Sequence, residues 1–155
     1  LGDFLRNGYL HRAIREQGGA YGGGAGYHPD SGSFRFYSYR DPRLAETLAD
    51  FDRAVDWLHG NDHPARTLEE AILGVIAAID KPGSPAGEAI TAFFGTLFGR
   101  TPEQRRRFRQ RVLAVTVADL QRVASQYLQP ERANYAVISD ARTLADQPDW
   151  TVVAV

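Results

Sequence analysis

The 155-residue chain is 43% apolar and 24% charged, the balance of one ordinary globular domain, and its net charge of −1 gives no global pull towards nucleic acid. No apolar run approaches the roughly 18 residues that a membrane-spanning helix needs, so neither nucleic acid nor a membrane is an expected partner. Cysteine is absent, which excludes disulfide staples, thiolate metal ligands and a cysteine nucleophile, and fits a reducing compartment.

The chain opens at Leu1 on a helical pattern already under way, with no secretion signal, and is expected to be a piece truncated at its N-terminus from a longer polypeptide. Residues 3 to 17 read as a helix with Phe4, Leu5, Leu10, Ala13 and Ile14 apolar, stopped by the Gly18-Gly19 pair. Ala20 to Tyr27 is too rich in glycine for a stable helix, and Ser33 to Arg40 alternates aromatic and polar residues as a strand does. His28-Pro29-Asp30-Ser31-Gly32 between them is turn chemistry, so a hairpin is predicted.

Asp41 followed by Pro42 predicts a helix start, and Leu44, Leu48, Phe51, Val55 and Leu58 then hold one face. Thr67 and Glu70 have capping-box spacing ahead of the stripe Leu68, Ile72, Val75, Ile76 and Ile79, and that helix should end near Asp80. The prolines of Lys81-Pro82-Gly83-Ser84-Pro85 impose a loop, after which a short helix carries Ile90, Phe93, Phe94, Leu97 and Phe98. Thr101 and Thr116 start helices near 102 to 115 and 117 to 127, while Asn134 to Ser139 and Thr151 to Val155 are expected to be closing strands. Strands at both ends around a run of helices describe an α+β fold, a mostly antiparallel sheet covered on one face by helices, within a single domain over residues 1–155.

The histidines are His11, His28, His59 and His63. His59-Gly60-Asn61-Asp62-His63 imitates an inverted zinc motif, H-x-x-E-H, but Gly60, Asn61 and Pro64 end the helix that would have to carry both rings on one face, so an ordinary polar helix end is expected. The glycines from Gly18 to Gly26 fit neither phosphate-loop spacing. Their bareness suits the close approach of a ligand or second chain, or equally a bulge or tight packing under a helix. Arg105, Arg106, Arg107, Arg109 and Arg111 crowd one helix whose Phe108, Val112 and Val115 form a core stripe. With no interleaved aromatic residues for base stacking, a solvated face is expected there.

Tyr9-Leu10-His11-Arg12-Ala13-Ile14-Arg15-Glu16-Gln17-Gly18-Gly19-Ala20-Tyr21-Gly22 resembles the start of the carboxy-terminal half of pitrilysin/insulinase-type zinc metallopeptidases, in the presequence-protease branch. The likeness continues through Asp30-Ser31-Gly32-Ser33-Phe34 and Tyr37-Ser38-Tyr39-Arg40-Asp41-Pro42-Arg43-Leu44, and beyond about residue 60 it is one of pattern more than of letters. The resemblance implies the half-domain fold of mitochondrial-processing-peptidase-like metallohydrolases. It further implies an enzyme of two similar halves around a chamber, whose N-terminal half holds zinc through H-x-x-E-H and a downstream glutamate. This chain lacks that motif and would be the C-terminal, non-zinc domain, inactive alone, with the N-terminal catalytic half and short unfolded peptides as its partners. A bacterial cytoplasm is expected for such a protein, or an organelle matrix in a eukaryote.

In such enzymes an arginine and a tyrosine of this half reach across to the substrate, and by motif these are Arg15 and Tyr21. An arginine offers fixed, permanently charged donors to peptide carbonyls, and a phenol can donate to a developing oxyanion. Arg15 could instead neutralise carbonyls at its helix end, and Tyr21 could pack on the core. The rival reading of the whole chain is a catalytically inert binding or scaffold module of the same superfamily.

Overall fold

The computed structural model describes residues 1–60, 62–145 and 150–153. Helix α1 (Gly2–Leu5) runs without a break into a π-helical segment (Arg6–Gln17), and the two together form the first helix. Residues 3 to 17 are thus helical as expected, but from Arg6 onward the winding is wider, with i→i+5 bonding. The fully buried Leu5, Leu10 and Ile14 recur at intervals of five and four, which suits that wider turn.

The predicted hairpin forms. Strand β1 (Gly22–His28) pairs antiparallel with β2 (Ser33–Tyr39), in a register running from Gly22 opposite Tyr39 to His28 opposite Ser33. Alternation along β2 sorts its side chains: Phe34 and Phe36 pack against the core, while Arg35, Tyr37 and Tyr39 face solvent. The first helix lies on β1, and the bare strand lets it come close. A Cβ on Gly23 would stand 2.9 Å from a methyl of Ile14, so this glycine serves packing under a helix.

Helices α2 (Ala45–Gly60), α3 (Ala65–Ile79), α4 (Pro85–Leu97) and α5 (Pro102–Leu113) follow the hairpin. Helix α6 (Val117–Tyr127) comes next, then a 3₁₀ turn (Pro130–Arg132) and the short α7 (Ala141–Ala145). The core joins Phe4, Leu5, Leu10 and Ile14 of the first helix to Ala54 and Leu58 of α2, with Ala71 of α3 and Leu120 and Ala124 of α6 closing it.

Several expectations need correction. Helix α2 begins at Ala45, because Asp41 is occupied as an acceptor: its carboxylate takes the hydroxyls of Ser38 and Thr47 and the amide of Arg43, pinning the end of β2 to the helix. Helix α3 begins at Ala65 after Pro64, so Thr67 lies inside it and Glu70 pairs with Arg66 at 2.7 Å. Phe108 is exposed, so the expected core stripe of α5 reduces to the partly covered Val112 and Val115. Its arginines are partly neutralised: Arg106 and Arg107 reach Glu103 and Arg109 reaches Asp80.

Among the described residues the sheet has two strands only. Residues 134–139 carry a strand pattern but find no strand to bond, and 151–153 are likewise irregular; residues 154 and 155 lie outside the described residues. The α+β class holds, with a smaller antiparallel sheet covered on one face by helices. Among the described residues, no helix is long and apolar enough to cross a membrane.

Candidate functional site

The junction between the first helix and the hairpin is built by backbone bonds. Gly18 caps the helix, and Gly19 takes the left-handed conformation (φ 79°) that a side chain would oppose. The Arg15 carbonyl accepts from Gly19 N at 3.2 Å, the Ile14 carbonyl from Ala20 N at 3.1 Å, and the Arg40 carbonyl from Tyr21 N at 3.2 Å. The turn from Arg15 to Tyr21 is therefore fixed at both ends, by the helix it leaves and by the strand end it meets.

Arg15 and Tyr21 flank this turn and both are exposed, Tyr21 at 61%. Neither is spent in the core. The Arg15 guanidinium lies 3.5 Å from His11 Nε2, one turn back, and His11 itself faces Glu16 at 3.3 Å. The Tyr21 ring meets that of Tyr39 edge-on with centroids 5.6 Å apart, and the Arg40 guanidinium sits 5.3 Å from its ring centre, a cation–π distance. Arg40 holds a positive φ of 47°, uncommon for a residue with a side chain. The arrangement presents two positive groups and a phenol to solvent, donors suited to carbonyl or carboxylate oxygens.

Sequence reasoning singled out Arg15 and Tyr21 but not Arg40 as their neighbour. The signal lay in the register: a four-residue turn between His28 and Ser33 returns the end of β2 beside the start of β1. Tyr27 and Tyr37 border a separate shallow cleft of about 250 Å³ with His28 and Arg35.

The four histidines serve other contacts. His28 bonds Ser31, His59 lies 3.4 Å from Ser125 Oγ, and His63 packs edge-on against Phe4 and Trp57 while its Nε2 meets the Leu58 carbonyl at 3.0 Å. Among the described residues no three histidine, aspartate or glutamate side chains converge as a metal site would require, so the residues present do not fit a zinc ion.

Residues 1–139 match the family described as PreP C-terminal domain. The chain is 41% identical over 154 residues to the mitochondrial presequence protease of Yarrowia lipolytica, covering 99% of this chain and 15% of that protein. It is 37% identical over 147 residues to that of Xenopus tropicalis (93% and 14%) and 36% identical over 156 residues to that of Saccharomyces cerevisiae (98% and 15%). The chain thus spans about 15% of the length of these relatives. They overturn the expectation of a bacterial cytoplasm, since their names place them in mitochondria; a cysteine-free composition fits any reducing compartment and cannot separate the two. By the span of the match and the level of identity, the chain belongs to the PreP C-terminal domain family, the carboxy-terminal domain of presequence proteases.

Proposed function

We propose that this chain is the substrate-gripping domain of a zinc-dependent endopeptidase that degrades short unfolded peptides, with Arg15 and Tyr21 holding the peptide for a metal carried on sequence outside the chain. The Arg15 guanidinium would fix backbone carbonyls of an extended peptide. The Tyr21 phenol would donate to the oxygen of the scissile carbonyl as negative charge builds on it, where a single well-placed donor contributes on the order of 3 kcal/mol. The metal's part is to activate the attacking water and polarise that carbonyl; this chain's own part is binding and orientation.

The observation that carries the reading is the pinned junction: two residues with the right chemistry stand exposed on either side of a turn held by backbone bonds at both ends. Rigid placement is what transition-state donors require, and it favours gripping over an inert scaffold, for which neither group would need to be held. In the full-length polypeptide, Tyr21→Phe should lower kcat/KM for an unstructured fluorogenic peptide by about a hundredfold with the melting temperature unchanged. The 155-residue chain alone should cleave nothing; chelator-sensitive cleavage by it, or full activity of Tyr21→Phe, would refute the assignment.

A further inference from the structure

Between the first helix and α2 lies a cleft of about 440 Å³, lined by neither Arg15 nor Tyr21 and within the usual size of ligand pockets. Its apolar side is aromatic. The rings of Tyr9 and Trp57 stand 6.0 Å apart, and Gly8 leaves room for the indole, since any side chain there would run into it.

Its polar side is positive, with three guanidinium groups facing the one carboxylate of Asp50. Asp50 is buried and shared, 3.2 Å from Arg43 and 2.7 Å from Arg53. Arg43 also donates to the Ala13 carbonyl at 3.3 Å and acts as a strut between the helices. Arg53 is half exposed, and hydrogen bonds with Asp50 first and the Tyr9 phenol second hold its proton more firmly than usual. Arg12, exposed on the cleft wall, enters no hydrogen bond or ion pair among the described residues. Arg53 Nη2 donates to the Glu46 carbonyl at 3.4 Å as well as to Asp50, so the local charge is left in surplus and the unengaged guanidinium is that of Arg12, with Arg53 beside it.

We infer that this cleft binds a peptide carboxylate, gripped by Arg12 and Arg53 with the apolar part of the same residue lying on Tyr9 and Trp57. Two planar guanidinium groups match the fork of a carboxylate, and an aromatic surface beside them takes the attached side chain. The carboxylate could be a peptide's C-terminus or an acidic side chain; both present the same two oxygens. The inference rests on the peptide-binding reading above, since it names a second grip on the same class of ligand.

The test is binding rather than turnover: fluorescence anisotropy with the full-length polypeptide, in chelator so that no peptide is cut. The probes are fluorescein-labelled Ala-Ala-Ala-Phe with a free C-terminus, its C-terminal amide, and the amide of Ala-Ala-Ala-Glu. The free acid or the Glu amide should bind about tenfold more tightly than the neutral amide, and whichever does so identifies the source of the carboxylate. Arg12→Gln should bring the charged and neutral peptides to within about twofold, with melting unchanged because Arg12 supports nothing in the fold. Equal binding of all three peptides to the wild type, or discrimination that survives Arg12→Gln, would overturn the inference. Failure of the gripping reading would show separately, as undiminished cleavage by Tyr21→Phe.

Discussion

The first sixty residues and the stretch from α4 through α5 contain similar apolar side chains and use them differently. In the former, Phe4, Leu5, Leu10, Ile14 and Leu58 are fully buried; in the latter, Ile90, Phe93, Phe94, Leu97, Phe98 and Phe108 remain exposed. Composition does not explain this, because α4 is the more apolar helix by sequence. What differs is cover. The first helix has β1 on one side and α2 on another, whereas no residue of α4 or α5 is buried. Burial is made by neighbours, and it is the covered helix whose end carries Arg15.

The contrast can be broken most directly in the core. Leu58→Ala should cost about 2–5 kcal/mol by urea unfolding, because it opens a cavity among residues that cannot collapse into it, whereas Phe94→Ala should cost under about 0.5 kcal/mol. Equal losses would mean that α4 is covered in solution. Gly19→Ala tests the junction itself: placing a Cβ at φ 79° should cost about 1 kcal/mol in thermal unfolding and should reduce peptide cleavage by the full-length protein.

The smallest effect concerns the reciprocal cap of α6. Hydrogen bonds from the Thr116 hydroxyl and amide hold the Asp119 carboxyl below its ordinary value. Because the folded pKa is the lower one, this contribution is fully present above the ordinary aspartate value, about pH 4, and is lost as pH falls below it. The difference in melting temperature between wild type and Asp119→Asn should therefore be constant from pH 7 to about pH 5 and shrink on further acidification.

Local signals were legible where the chain itself supplies the partner. Gly18-Gly19, the turn at His28–Gly32, and Thr101 and Thr116 as caps all act within a few residues, and each appears where its spacing puts it. Asp41 misled because a carboxylate before a proline can cap a helix or tie down a strand end, and here Ser38 and Thr47 decide for the second. Thr67 and Glu70 misled in the same way, with Pro64 starting the helix earlier. Strand pairing is non-local, so the pattern at 134–139 could announce a strand but could not supply the neighbour that makes one. Arg15 and Tyr21 were marked by motif, while the placing of Arg40 beside them followed only from the register of the sheet.

The measurement that bears most directly on the central claim is a double-mutant cycle on Arg15 and Tyr21 in the full-length polypeptide, read as kcat/KM for one unstructured peptide. If the pinned turn makes them a single grip, Arg15→Ala and Tyr21→Phe should each lose about a hundredfold, and together far less than the product of the two losses. Losses that multiply, or single variants that cleave as the wild type does, would contradict the account.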